Sequence, residues 1–68
     1  MTKYQILKLA QTEMNSRLKT YVDVAWFPEE TPDEELETIE ALQQLEQEGM
    51  IRATDKAAYN IISCFVLT

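Results

Sequence analysis

The chain contains no histidine, one cysteine, one glycine and two prolines among its 68 residues. Without histidine there is no imidazole for acid–base catalysis, and the lone Cys64 can form neither an intrachain disulfide nor a cysteine–histidine metal site. We therefore expect no catalytic, cofactor-binding or metal-binding residue, and no enzymatic activity. A chain this short buries only about 60% of the surface of its unfolded form, so its apolar residues are needed for one core. Residues 1–68 are predicted to form a single domain.

Long apolar runs are also missing, and none approaches the roughly 20 residues that span a bilayer. Apolar residues nevertheless make up 46% of the sequence, too large a fraction for a disordered chain even with 26% charged residues. The first residues lack the positive region and apolar stretch of a secretory signal. We therefore expect a folded, cytoplasmic protein without membrane contact, in which the cysteine stays reduced.

Capping motifs predict two helices. Thr2 with Gln5, and Thr31 with Glu34, match the capping box that opens a helix, and the single glycine, Gly49, predicts the end of the second helix. At about 100° per residue, the apolar residues of each helix gather on one side. These predicted buried sides consist of Tyr4, Ile6, Leu7, Ala10, Met14 and Leu18 in the first helix, and of Leu36, Ile39, Leu42 and Leu45 in the second.

β-Branched and aromatic residues predict three strands. Residues 20–27 favour a strand that Pro28 ends, because proline cannot donate to a sheet ladder. Residues 50–53 and 59–68 are predicted to form a hairpin through the polar segment 54–57. Because the last strand is apolar on both faces, we expect it to be central or covered. The expected fold is α+β in the order α-β-α-β-β, with two helices packed on a three-stranded antiparallel sheet.

The second helix and the hairpin carry a resemblance to a known family. From Ile39 to Arg52 the chain has apolar i, i+3 spacing in a helix that ends in Gly49-Met50-Ile51 and leads into the hairpin. This arrangement resembles the recognition helix and wing of winged-helix domains over residues 32–68. The resemblance implies a reduced winged-helix-like fold, because the segment between the first strand and the long helix is too short for the second helix of a helix-turn-helix.

Charge is distributed unevenly along the chain, whose net charge is −6. Residues 20–51 contain ten acidic residues and no basic residue, whereas residues 1–19 carry a net charge of +3. The outward face of the long helix is acidic, and we name it the acidic face; it consists of Glu37, Glu40, Gln44, Gln47 and Glu48. A DNA-reading helix needs Lys or Arg against the phosphates, so this face does not favour nucleic-acid binding by the long helix.

These observations favour a protein-interaction module. The acidic face is the first candidate surface for a basic protein partner, and the plainer alternative is that it is only a solvated surface with favourable carboxylates near a helix N-terminus. Tyr21 and Phe27, on one face of the predicted first strand, are a second, apolar candidate surface. The last strand has more apolar surface than one thin sheet can cover, which predicts a homodimer or a place in a larger complex.

Two alternatives stay open. One is a nucleic-acid-binding regulator that uses the N-terminal helix and the hairpin wing. Its candidate contacts are Lys3, Lys8, Lys19, Arg52 and Lys56. The other is an acidic inhibitor that mimics DNA, because small size and concentrated charge are typical of proteins carried by phages and other mobile elements. No small-molecule ligand is predicted.

Overall fold

The computed structural model describes all 68 residues, and two helices pack against a three-stranded antiparallel sheet. The predicted α+β class and the element order α-β-α-β-β are confirmed. Short 3₁₀ turns follow the first strand, at Val24–Trp26, and join the hairpin strands, at Ala58–Asn60. The helices and strands are α1 (Lys3–Arg17), β1 (Val22–Asp23), α2 (Pro32–Gln47), β2 (Ile51–Lys56) and β3 (Ile62–Leu67).

The sheet has the order β1-β3-β2, so the last strand is central, as its two-sided apolar pattern predicts. β1 pairs with β3 through Val22 and Phe65, and β2 pairs with β3 from Ile51 opposite Leu67 onwards. Val22, Ile51 and Phe65 are fully buried or nearly so, which places the core between this sheet face and the two helices.

The hairpin differs from its prediction in length and in register. β2 continues to Lys56, so the polar residues expected in the turn belong to a strand, and β3 begins only at Ile62. Register shifts occur between Ala53 and Asp55 and again between Asp55 and Lys56. Bulges of this kind change which residues face the core. Ile62 and Phe65 are therefore buried together, although a regular strand would point them to opposite faces.

The capping box of α1 is confirmed, since the Thr2 hydroxyl accepts a hydrogen bond from the Gln5 backbone amide and the Gln5 side-chain oxygen accepts one from the Thr2 backbone amide. Ile6 and Ala10 are buried in the core. The predicted buried side is too wide, because the Tyr4 side chain is 72% exposed and Leu18 is 90% exposed. Leu18 follows the last helical residue in the left-handed conformation, with φ 55°, and points away from the core.

The strand predicted over residues 20–27 is wrong beyond Asp23. The Asp23 carboxylate accepts a hydrogen bond from the Ala25 amide at 2.9 Å and caps the first 3₁₀ turn. This local contact replaces the sheet ladder that β propensity favours, because aspartate side chains compete effectively for nearby backbone donors. The alternation of faces expected along the strand therefore stops after two residues.

α2 begins and ends where the sequence predicts. Thr31 and Glu34 form the capping box, and Gly49 has φ 76°, the left-handed conformation that ends many helices. The buried residues of α2 are Thr38, Ala41, Leu42 and Leu45. The predicted burial of Leu36 is wrong, since its side chain is 55% exposed. Thr38 is buried instead, because it lies on the same side of the helix as Leu42 and Leu45. Its hydroxyl is hydrogen-bonded to Glu30.

Candidate functional site

The acidic face is exposed along the whole length of α2. Glu37, Glu40, Gln44, Gln47 and Glu48 are all exposed, and they lie away from the side of the helix that packs Leu42 and Leu45 into the core. The residues predicted for this face therefore do share one surface of the folded chain.

Cations of the N-terminal segment contact the acidic face only at its margins. The Lys3 ammonium lies 2.9 Å from the Glu48 carboxylate, and the Met1 ammonium lies 3.6 Å from that of Glu37. A groove of about 300 Å³ runs between the start of α1 and this part of α2, and Glu40 and Gln44 line it. The side chains of Glu40, Gln44 and Gln47 have no ion pair or hydrogen bond within the chain. These three residues form the part of the face that is free for a partner.

Beside this face, Met1, Glu30 and Thr38 form a partly buried polar cluster. The Met1 ammonium donates to the Glu30 carboxylate at 2.9 Å, and the Thr38 hydroxyl donates to the same carboxylate at 2.8 Å. Burial alone would lower the pKa of the ammonium, but the hydrogen bond and charge of Glu30, with the charge of Glu37, outweigh burial and raise this pKa. Sequence patterns did not indicate this cluster, because its members lie on three separate segments.

The carboxylates at the start of α2 have a structural role. Asp33, Glu34 and Glu35 occupy the first turn, where negative charge interacts favourably with the helix dipole. Hydrogen bonds from the Thr31 backbone and side chain lower the pKa of Glu34. These three carboxylates stabilise the helix whether or not a partner binds.

The five basic residues proposed for nucleic-acid contact do not form one free surface. Lys3 is paired with Glu48, and the Lys56 ammonium lies 3.3 Å from the Glu46 carboxylate. Lys19 lies over the Tyr21 ring, with its ammonium 5.9 Å from the ring centroid. The remaining two, Lys8 and Arg52, are exposed without an ion pair. Carboxylates of α2 thus neutralise two of the five cations.

Tyr21 and Phe27 do not share the apolar face that a continuous strand would give them. The Phe27 ring packs against Phe65, with 6.3 Å between the centroids, whereas Tyr21 packs against Trp26 at 5.6 Å. The 3₁₀ turn that replaces the strand rotates Phe27 toward the core. The expected common face is therefore wrong in its geometry, and only Tyr21 remains exposed.

Cys64 lies on β3 between Asp23 of β1 and Asp55 of β2, its register partners. Burial raises the pKa of the thiol, and the charges of Asp23 and Asp55 raise it further. The thiolate is the nucleophilic form of cysteine, so this environment disfavours reactivity at neutral pH.

The structure groups no three His, Cys, Asp or Glu side chains in an arrangement that could hold a metal ion. Neither helix has both the length and the apolar character needed to cross a membrane. Comparisons of the chain with protein-family models, with curated proteins and with solved structures find no match.

Proposed function

We propose that this protein is a non-enzymatic protein-interaction module that binds a basic partner through the acidic face of α2. The observation that supports this proposal is the exposure of Glu40, Gln44 and Gln47 without any contact to a cation of the chain. The whole acidic face carries three carboxylates, those of Glu37, Glu40 and Glu48, and no basic residue. A surface of one charge sign attracts an oppositely charged partner over distance and accelerates their association.

Helix stability does not account for this surface. The carboxylates of the first turn interact favourably with the helix dipole, but carboxylates near the C-terminus of a helix interact unfavourably with it. Glu46 and Glu48 lie at that end, and Lys56 and Lys3 neutralise them. Glu40 lies between the two ends and forms no ion pair within the chain, so its carboxylate is available to a cation of a partner.

We also propose that the fold is a reduced relative of the winged-helix domains. The support is the position of the hairpin, β2 and β3, directly after the long helix α2. The 3₁₀ turn at Val24–Trp26 stands between β1 and α2, where a complete helix-turn-helix would have its additional helix. In this proposal α2 is exposed like the recognition helix of a winged-helix domain, but it binds a protein and not DNA.

A charge-reversal pair tests the acidic face. Replacing Glu40 and Gln44 with Lys changes the net charge of −6 by three units, two from Glu40 and one from Gln44. Glu37 is kept, because it lies near the Met1 ammonium. The matched control replaces Thr12, Asn15 and Ser16 with Lys, which also adds three units on an exposed part of α1.

Both variants are expected to fold, since single exposed charges contribute little to stability. In chemical cross-linking and affinity capture from the native host, the Glu40/Gln44 variant should lose the partner that the wild type retains. The control should keep it. Association of the wild type with the purified partner should slow as salt rises. If the acidic-face variant keeps its partner with the same salt dependence, the face is only a solvated surface.

The nucleic-acid alternative has less support, because Lys3 and Lys56 are engaged with α2 carboxylates. An electrophoretic mobility shift with genomic fragments at low salt tests it directly. Phosphate contacts would give binding that falls steeply with salt. A shift that persists in the Glu40/Gln44 variant and disappears when Lys8 and Arg52 are replaced would favour this alternative.

A further inference from the structure

A second surface, distinct from the acidic face, lies on the opposite flank of α2. It is a groove of about 390 Å³, lined by both apolar and acidic residues, between the first 3₁₀ turn, α2 and the end of the hairpin turn. Val24, Phe27, Ile39 and Ile61 supply apolar walls, and Glu29 and Glu35 add carboxylates. Both carboxylates are exposed and have no ion pair within the chain.

The end of α1 presents a group of complementary character. Leu18 is 90% exposed and has φ 55°, a conformation that favours Gly or Asn over leucine. Basic residues flank it on both sides, Arg17 and Lys19. Leu18 thus combines an exposed apolar side chain with an unfavourable backbone conformation, and neither property benefits the monomer.

The end of α1 is attached beside the 3₁₀ turn that forms one wall of the groove. The Arg17 guanidinium lies 4.4 Å from the centroid of the Trp26 ring, which attaches the end of α1 to the first 3₁₀ turn. The residue after Trp26, Phe27, lines the groove. A two-fold axis close to this turn can therefore bring Leu18 of each copy toward the groove of the other.

We propose that two copies of this chain form a reciprocal dimer, in which Leu18 of each copy contacts the apolar wall of this groove in its partner. Lys19 then faces Glu29 and Glu35 across the contact, so apolar and charged groups are matched at the same place. Two-fold symmetry makes the contact twice, as is usual in homodimers. This inference specifies the self-association expected from the sequence and does not depend on the acidic face.

The first test is the mass of the purified wild-type chain by sedimentation equilibrium across the micromolar range. The mass should rise from the monomer value of 7.9 kDa toward twice that value with concentration. A monomer at every concentration would overturn the proposal.

Leu18→Asn tests the anchor. It removes the apolar side chain but suits the left-handed backbone, so the monomer should remain folded with an equal or higher thermal midpoint. The dimer dissociation constant should rise at least about tenfold, since a buried leucine is lost from both contacts. Tyr59→Asn is the matched control, because Tyr59 is 94% exposed with φ 60° but does not line the groove. If both variants dimerise like the wild type, or only Tyr59→Asn weakens the dimer, the proposal is wrong.

A charge exchange distinguishes this dimer from other modes of self-association. Lys19→Glu alone and the pair Glu29→Lys with Glu35→Lys alone should each dimerise more weakly than the wild type, because like charges then face each other. Mixed in equal amounts, the two proteins should form a heterodimer, since both of its contacts again join opposite charges. Failure of the mixture to associate would overturn the reciprocal arrangement. All these variants keep Glu40, Gln44 and Gln47, so capture of a basic partner is scored independently.

Discussion

The Thr38 hydroxyl, buried on α2, donates a hydrogen bond at 2.8 Å to the carboxylate of Glu30, which lies just before the helix. The same carboxylate holds the Met1 ammonium at 2.9 Å. One carboxylate thus links the N-terminal segment, the loop before α2 and the helix itself. Because it satisfies the only polar residue in the buried core, it explains why threonine is tolerated there.

Glu30→Gln should destabilise the fold. The substitution removes the charge that stabilises the partly buried ammonium, and hydrogen bonds to charged groups contribute more than neutral ones. We expect a loss of about 1–2 kcal/mol in the free energy of unfolding, measured by urea denaturation at neutral pH. Glu40→Gln is the control: Glu40 is exposed without an ion pair and lies outside the proposed dimer contact, so its change should stay within about 0.5 kcal/mol. Equal effects of the two substitutions would contradict a structural role of the Glu30 contacts.

Alkaline pH should weaken the fold through two groups. The pKa of the Met1 ammonium is raised above its ordinary value of 8.0, and that of Cys64 above 9.0. A raised folded-state pKa stabilises the protein below the unfolded value, and this stabilisation is lost as pH rises through the folded value. Urea midpoints should therefore fall progressively above pH 8, and Glu30→Gln should reduce the fall.

Cys64→Ala separates the two contributions to this pH dependence. The substitution removes the thiol, so only the decrease in the urea midpoint that starts near pH 8 should remain. That decrease comes from the Met1 ammonium. A wild-type urea midpoint that stays constant between pH 7 and pH 10 would contradict both pKa directions.

Gly49→Val should destabilise the end of α2. The φ of Gly49 is 76°, and an added Cβ would meet no atom within 4 Å, so the cost comes from the backbone conformation and not from a clash. We expect a loss of about 1 kcal/mol or more in thermal or urea unfolding. Gly49→Asn should cost less, because asparagine adopts this conformation more readily. Equal effects of Val and Asn would argue against backbone strain as the cause.

Ser63→Ala should be neutral or stabilising. The Ser63 hydroxyl oxygen is buried and has no hydrogen-bond partner. Since an unsatisfied buried polar group carries a desolvation cost, we expect a change between zero and a gain of about 1 kcal/mol. Urea denaturation measures the change, and a loss of stability larger than about 1 kcal/mol would show that the hydroxyl has a partner, such as a bound water.

The sequence determined the features that depend on neighbouring residues. The two capping boxes and the glycine at the end of α2 are contacts within a few residues, so their patterns predict them directly. The central position of β3 also agrees with the sequence, because strands that are apolar on both faces are usually central or covered. Exposure of the acidic face follows from helical periodicity in the same way.

The tertiary structure decided the features that join distant segments. The Thr38 side chain shares the buried side of α2 with Leu42 and Leu45, and only the folded chain brings the Glu30 carboxylate to its hydroxyl. Packing of the elements also decides the ion pairs Lys3–Glu48 and Lys56–Glu46. These pairs engage two of the five basic residues that the sequence suggested as one nucleic-acid-binding surface. The bulges in the hairpin, which place Ile62 and Phe65 together in the core, are set by pairing across the sheet. These contacts depend on which distant residues folding brings together. Helix caps and helical periodicity, in contrast, involve residues within one or two turns of the chain.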